Sequence, residues 1–449
     1  MRTSRHLLAI AAFTIGCGDD PAASPPVPEP DAGPNPDAAL DADVDAQTPT
    51  SWTRTYKQSS YKPSWSKSGV PPQTHFCTDA SGRLLFAGIW VDSRTSDSLA
   101  VILRADGEQE LTIRGNVSPS RIACGSESFA FAGGLSGEQD VFNLAGGTIT
   151  RVEDSDFLAG VDSSGQFSWG RAVGISGTNE LRASHDGWGW LARSSSAVDV
   201  GCGAVPDWQE EKLDAPTVLA RLDLSGRCVH SERIANAPVK GGFVRSFVAD
   251  PEGTTLLWFE NEYDVLVERR NNQRERVWAT NFYRGFTTDM SGKLFRSNGD
   301  GGYFVFGEVG GAYQPTLLKL SADGTEQWRK QVAEWTDGRM AAMTPDINGG
   351  MLVGGRFMRI NGQGTATLCG QTYTPAAEGD GFVMRIDDQG SCSWIRLFST
   401  PLFDQVNAIA TSPIDGAILV AWEDWPEEAW LSEDLEPVVN LHITKYVPK

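Results

Sequence analysis

The chain has 449 residues and a formal net charge of −20, from 58 acidic against 38 basic side chains. A surface that acidic repels nucleic acid and anionic lipid headgroups, so neither is expected as a partner. Beyond the first 16 residues no apolar stretch approaches the roughly 20 residues of a membrane-spanning helix.

Residues 1–16 read as an export signal. Arg2 and Arg5 precede an apolar run over residues 7–16, too short to cross a bilayer but suited to a cleaved leader. The run ends in a small residue, followed by Cys17. That junction resembles the bacterial lipoprotein signal, in which diacylglycerol is attached to a Cys after a small residue and cleavage leaves that Cys first. Thr14 stands where the family usually has Leu. The resemblance implies lipidation at Cys17. It also implies the outer membrane, on its periplasmic or cell-surface face, because Gly18 and not Asp follows the Cys. An ordinary secretory signal with an incidental Cys is the alternative.

Residues 17–50 form a tether. From Gly18 to Thr50 the chain holds eight Pro and eight acidic residues and no Lys or Arg, a composition that stays solvated and extended. Setting aside the tether's eight negative charges and the leader's two arginines leaves about −14 on residues 51–449. The folded part is therefore acidic in its own right.

Residues 51–449 are long for one domain until their internal period is seen. The clearest unit is GFVMRIDDQGSCSWIRLF, residues 381–398: an alternating apolar run, an Asp-x-x-Gly turn, Trp four residues after the Gly, and a second alternating run. The skeleton recurs at Gly165 and Trp169 and at Gly324 and Trp328. In weaker copies Leu111 or His230 takes the Trp place, and Arg274 replaces the Gly before Trp278. These six segments predict hairpins of two short strands. Each follows another hairpin of the type VNAIATSPIDGAILVAW, residues 406–422, with small residues in its first strand and bulky ones in its second. Two hairpins make a four-stranded sheet of about 57 residues.

The chain ends set the topology. The seventh inner hairpin is followed by one strand only, in residues 441–449, and the missing Trp strand stands at the other end as SWTRTYKQ, residues 51–58. A closed ring explains both, since closure removes exposed edges. The predicted fold is all-β: a seven-bladed β-propeller of four-stranded antiparallel blades over residues 51–449, closed by the N-terminal strand completing the last blade. An open β-solenoid is the alternative. The repeat resembles the SBBP-type propeller repeats of bacterial surface and secreted proteins, of form DxFVxRLDxxGxxxW. It is also similar to the tryptophan-docking blades of pyrroloquinoline-quinone proteins and of the propeller lipoprotein that helps assemble outer-membrane barrels. Such a resemblance implies a fold, because propellers host unrelated activities.

Six cysteines besides Cys17 argue for disulfides in an exported chain. Cys228 and Cys392 share a slot two residues after the turn Gly, and each has a Cys upstream in its own unit, which predicts Cys202–Cys228 and Cys369–Cys392. Cys77 and Cys124, on the innermost strands of adjacent units, form the third pair. Zinc is the alternative, although no close Cys-x-x-Cys pair is present.

Chemistry leaves few signals. The Asp/Gly turns lack the dense oxygen set of a calcium loop. His75 and His185 lie near the expected channel, and each is read as a half-buried polar residue. No nucleophile elbow or phosphate-cradling loop occurs, and no cofactor or metal is expected. Trp52, Trp169, Trp278, Trp328 and Trp394 share one slot and should pack between blades. Trp188, Trp190, Trp258 and Trp422 lie in apolar strands. Trp65, Trp425 and Trp430 are placed in connections and are the candidate binding residues, Trp425 and Trp430 as aromatic anchors. The long insertions 136–155, 195–215 and 359–379, with the Trp425/Trp430 segment, all join second to third strands and so share one face. Long loops on a rigid scaffold are where binding residues sit; the alternative is that they cap blade ends. The expectation is a monomeric, lipid-anchored, non-enzymatic scaffold that binds an envelope protein or glycan through this face. A glycan-cleaving or quinone-dependent propeller enzyme is the alternative, with Asp79, Asp186, Asp250 and Asp346 as its nearest candidate carboxylates.

Overall fold

The computed structural model describes residues 51–58, 75–88, 98–115, 117–135, 141–151, 155–174, 177–184, 186–193, 198–203, 217–234, 243–250, 252–261, 264–283, 286–287, 293–309, 314–335, 337–359, 364–425 and 439–447. All regular structure among them is β. The leader, Cys17, the tether, Trp65, His185 and Trp430 lie outside the described residues.

After β1 (Trp52–Gln58), the first unit is β2 (His75–Thr78), β3 (Leu84–Gly88), β4 (Ser98–Leu103) and β5 (Gln109–Gly115). The second is β6 (Ser118–Cys124) and β7 (Ser128–Gly134), an inserted hairpin β8 (Val141–Leu144) and β9 (Gly147–Thr150), then β10 (Asp156–Asp162) and β11 (Phe167–Val173). The third is β12 (Gly177–Ser184), β13 (Gly187–Arg193), β14 (Thr217–Asp223) and β15 (Cys228–Ile234). The fourth is β16 (Phe243–Asp250), β17 (Gly253–Asn261), β18 (Asp264–Asn271) and β19 (Arg276–Tyr283). In the fifth the first strand is split into β20 (Phe286–Thr287) and β21 (Lys293–Arg296), followed by β22 (Tyr303–Val309), β23 (Gln314–Leu320) and β24 (Glu326–Gln331). A short β25 (Ala333–Trp335) leads into the sixth: β26 (Gly338–Pro345), β27 (Met351–Met358), an inserted hairpin β28 (Ala366–Leu368) and β29 (Gln371–Tyr373), then β30 (Gly379–Ile386) and β31 (Cys392–Phe398). The last is β32 (Phe403–Thr411), β33 (Ile418–Trp425) and β34 (Val439–Tyr446). Each unit is an antiparallel meander, and β1 pairs with β34 from Trp52↔Lys445 to Gln58↔Val439, so the last sheet has the order β1-β34-β33-β32. Such meanders, stacked face to face, are the blades of a β-propeller.

The outer hairpins turn as the Asp-x-x-Gly motif requires. Asp162 Oδ1 accepts from the amides of Ser164 (2.8 Å) and Gln166 (3.0 Å), and the chain then passes through Gly165 at φ 80°. A side-chain oxygen binding its own turn makes Asp the natural opener, and the left-handed position favours Gly.

The slot tryptophans join one unit to the next. Trp52, Trp278 and Trp328 each donate from Nε1 to the second residue of the next outer turn: Ala105 O at 3.1 Å, Ala322 O at 3.0 Å and Asp388 O at 2.8 Å. Their rings lie on Gly107, Gly324 and Gly390, and Trp169 lies on Gly226, where any Cβ would collide with the indole. Leu111 occupies the same place against Gly165. His230 instead meets Arg274, which holds φ at 67° and has a guanidinium nitrogen 3.1 Å from His230 Nδ1. Trp394 packs edge-on against Tyr446, with centroids 5.8 Å apart.

Apolar side chains gather between successive sheets, as alternating strands stacked face to face require. Leu84, Phe86 and Val101 of the first unit pack with Leu419, Leu441 and Ile443 of the last. Trp188 and Trp190 are fully buried among second- and third-unit residues. Innermost strands touch in order, β2 with β6, β6 with β12, β12 with β16, β16 with β21, β21 with β26, β26 with β32, and β32 with β2.

The insertions were expected as loops of one binding face. Two of them are instead tight hairpins applied to the preceding unit. β8–β9 turns at Ala145-Gly146 and pairs with β5 through Leu144↔Gly115, giving the first sheet six strands in place of four. β28–β29 turns at Cys369-Gly370 and pairs with β25 through Ala366↔Trp335 in a separate three-stranded sheet. Alternation buries Phe142, Leu144 and Ile149 in the first case and Ala366, Leu368 and Tyr373 in the second. In the third insertion Val198 and Val200 are buried, and Arg171 of β11 donates to Val200 O at 2.6 Å. The described parts thus fill the wedge at the rim between neighbouring blades.

Cys77–Cys124, Cys202–Cys228 and Cys369–Cys392 are all bonded, with Cα separations of 5.7, 5.4 and 5.2 Å. The first joins two innermost strands. The other two fasten the third-unit and sixth-unit insertions to their own outer strands.

Candidate functional site

The innermost strands reverse the charge of the chain. Across β2, β6, β12, β16, β21, β26 and β32 there are six cations, Arg121, Arg182, Arg245, Lys293, Arg296 and Arg339, against three carboxylates, Glu180, Asp250 and Asp404. Residues 51–449 carry about −14 in all, so these strands form a net-positive strip in an acidic chain.

Among them Glu180 is buried and held from its own strand and two neighbouring ones. Arg182 donates to Oε1 at 2.6 Å, Ser246 Oγ and the Phe247 amide donate to Oε2 at 2.8 and 3.0 Å, and Lys293 Nζ stands 3.7 Å away. Burial works to raise its pKa, but Arg182 and Lys293 outweigh it and keep the carboxylate below its ordinary value. Burial holds the Lys293 ammonium below its usual value; Glu180 opposes this, while Arg121 and Arg182 add to it. The strip is thus crowded with cations even around its one central anion.

At the tight-turn ends of these strands lies a depression of about 370 Å³, lined by the ends of β12, β16, β21 and β26. Arg182 and Arg296 supply its charge, Ser184 and Asn298 its hydroxyl and amide, and Phe295 its apolar wall. The Arg182 guanidinium lies 5.1 Å from the Phe295 centroid. Asp250 also lines it, but Arg269 grips that carboxylate through two nitrogens at 2.8 and 3.0 Å, with Arg296 at 3.2 Å. The depression therefore lies on the opposite face from the one chosen from insertion lengths.

The four carboxylates weighed for catalysis have structural occupations. Asp79 caps its turn and binds Arg83 Nε at 2.8 Å, Asp186 meets Arg221 at 3.3 Å, Asp250 is held by Arg269, and Asp346 by Arg385. Three of these belong to a repeated device not isolated in the sequence. The cation faces the Trp slot from the third strand and reaches the inner turn of its own unit. Arg221, Arg269, Lys319, Arg385 and Lys445 occupy this place, and Lys319 and Lys445 bind Asp300 at 3.1 Å and Asp415 at 2.7 Å. Lys319 is wholly buried and also bonds Asp388 of the next unit at 2.7 Å. The signal was present in sequence as a basic residue two before the outer turns of the third to sixth units.

Trp425 is corrected. It is the last residue of β33 and not part of a connection, and it is 3% exposed, packed with Phe403 and Met358 and donating to Glu423 at 3.2 Å. A side chain so enclosed offers no surface for an aromatic anchor. Trp422 is half-buried and stacked on His442, centroids 4.0 Å apart. His75 opens β2 and Trp258 lies in β17. Beside Trp425, Asp380, Asp404 and Asp424 are buried together. Burial first, then Asp380 and Asp424, push the Asp404 pKa up to about 7. Such tuning suits an acid catalyst, but Asp404 has no solvent-accessible surface and is bonded to Thr400 of its own chain segment. Among the described residues no group of three or more His, Cys, Asp or Glu could hold a metal ion, and no helix is long and apolar enough to cross a membrane.

No protein-family profile and no curated protein matches the chain. Among solved structures, the β-propeller domain of Myceliophteria thermophila Cps50 (Swd1) superposes with a TM-score of 0.44 at 10% identity, covering 83% of this chain and 95% of that one. The Dos1 propeller gives 0.36 at 9%, covering 67% and 66%. The assignment to the β-propeller class rests on the strand pairing described above.

Proposed function

We propose that this protein is a lipid-anchored scaffold of the bacterial envelope: a seven-bladed β-propeller, closed by its N-terminal strand, that binds a protein or glycan without transforming it. The cationic axis opening into a polar depression carries this reading. A strip of reversed charge in an acidic body concentrates ligands of one sign and repels the rest. The occupied carboxylates support binding over catalysis, because each is consumed by a turn and a cation. Closure is supported by the cyclic order of innermost-strand contacts and by Trp52 on Gly107. The anchor, the export route and the kinship with SBBP-type repeats rest on the sequence resemblances at residues 1–17 and in the outer hairpins.

Chemical crosslinking of the full chain in its own envelope tests the proposal, with Cys17→Ser as the comparison. The expected result is one reproducible envelope protein or glycan, crosslinked through the axial mouth, with membrane association lost in Cys17→Ser. Membrane association that survives the substitution removes the lipid anchor. Turnover of a glycan or a quinone substrate by the purified protein makes it an enzyme.

A further inference from the structure

We infer that the depression at the axial mouth is a binding site for a sugar acid of about monosaccharide size, its carboxylate held between Arg182 and Arg296. This rests on the binding reading above and names the ligand chemistry. Volume sets the scale: about 370 Å³ is near the lower end of the roughly 300–1,000 Å³ usual for small-molecule sites. Charge sets the sign. Asp250, the one carboxylate of the lining, is bonded by both Arg269 and Arg296, and Arg269 also reaches Glu252 at 3.3 Å, so charge is balanced at that end of the site. At the other end Arg182 and Lys293 share the single carboxylate of Glu180, which leaves one cation in excess. A carboxylate entering between the two arginines relieves that crowding, and planar guanidinium groups match its geometry.

The remaining lining selects the rest of the ligand. Ser184, whose hydroxyl donates to Asp186 at 3.1 Å, and Asn298, whose amide nitrogen donates to Asp346 O at 3.0 Å, each keep an oxygen that can accept from a sugar hydroxyl, and the Phe295 ring adds an apolar wall. Arg182 already lies against that ring, so its guanidinium is oriented before the ligand arrives. A neutral sugar would leave the excess positive charge unmet. A compact inorganic anion would leave the hydroxyl partners and the aromatic wall unused.

Calorimetric titration of the full-length protein with glucuronate, glucose, inorganic phosphate and a triglutamate peptide tests the site. Glucuronate is expected to bind saturably, with glucose and phosphate each weaker by about tenfold or more. Arg296→Gln, at the rim with its side chain 40% exposed, is expected to weaken glucuronate by about tenfold while leaving the thermal midpoint in place. Arg182→Gln also strips a partner from buried Glu180, so Arg296→Gln is the deciding variant. Equal binding of glucose, tighter binding of the peptide or of phosphate, or no saturable heat with glucuronate overturns the proposal. If glucuronate fails while the envelope crosslink persists, the sugar-acid site is lost and the scaffold stands. Failure of both removes the binding reading itself.

Discussion

Asp404 has no accessible surface at the start of β32, where it accepts from the Thr400 amide at 2.7 Å and faces Asp424 across the β32–β33 pair. Asp424 is engaged by His442 at 2.9 Å and Asn440 at 2.7 Å, whereas Asp380 is pushed upward by burial as Asp404 is. With its pKa raised to about 7 in the folded state, against an ordinary value of about 4, Asp404 keeps a proton that the unfolded chain gives up. The native state then binds more protons than the unfolded one between those values, so this group's contribution to stability falls as pH rises through that window and is constant above it. Asp404→Asn removes the cost of ionisation. Urea unfolding should show the variant more stable than the parent by about 4 kcal/mol at pH 8 and nearly equal to it at about pH 4. An offset of the same size at both pH values would mean that the carboxyl titrates in the fold as it does in the unfolded chain.

At the scale of the elements, the Trp slot works as a lock between consecutive hairpins, and one lock is made of other parts. His230 stands where a Trp should be and Arg274 where its Gly should be, paired at 3.1 Å, with Arg274 also 3.5 Å from Glu232. A double-mutant cycle of His230→Trp and Arg274→Gly tests whether the slot is a transferable unit. His230→Trp alone brings an indole onto a side chain, and Arg274→Gly alone leaves a gap, so each single change should destabilise. The pair should recover, with a favourable coupling of about 1–2 kcal/mol in chemical denaturation; strict additivity would show that the ring and the turn do not meet. The slot was legible in the sequence because a turn Gly and a Trp four residues later are local, although the Gly each ring lies on belongs to the next unit; the pairing of Cys202 with Cys228 and of Cys369 with Cys392 was legible too. The inserted hairpins were not read, although Ala145-Gly146 and Cys369-Gly370 mark two-residue turns, because their partners β5 and β25 belong to the preceding unit. Trp425 was misplaced because the acidic residues around it mask a strand end whose Glu423 and Asp424 are buried with partners. The axial charge reversal appears only when first strands, scattered over the sequence, are set side by side.

For the whole molecule the question is whether the order of units is a line or a ring. In a linear array each sheet depends on its neighbours along the chain, and loss of a terminal strand frays one end. In a ring the same strand has two clients. β1 completes the sheet of β32–β34, while Trp52 donates to Ala105 O and Arg54 Nε to Gly107 O at 3.0 Å, both in the outer turn of the first unit. Lys445 reaches Ala105 O as well, and Thr78 Oγ1 donates to Thr411 O at 2.8 Å between the innermost strands β2 and β32. Deleting residues 51–58 while keeping the leader and tether should therefore accelerate amide hydrogen exchange in β2–β5 as strongly as in β32–β34, and leave β16–β19, on the far side of the ring, the last to respond. The first unit has its own bond to the second through Cys77–Cys124, which holds it in place but cannot replace the covering that β1 and the seventh unit give to Leu84, Phe86 and Val101. Faster exchange in β33–β34 alone would mean that the two chain ends lie side by side without closing a ring, and the axis would then be a groove and not a channel.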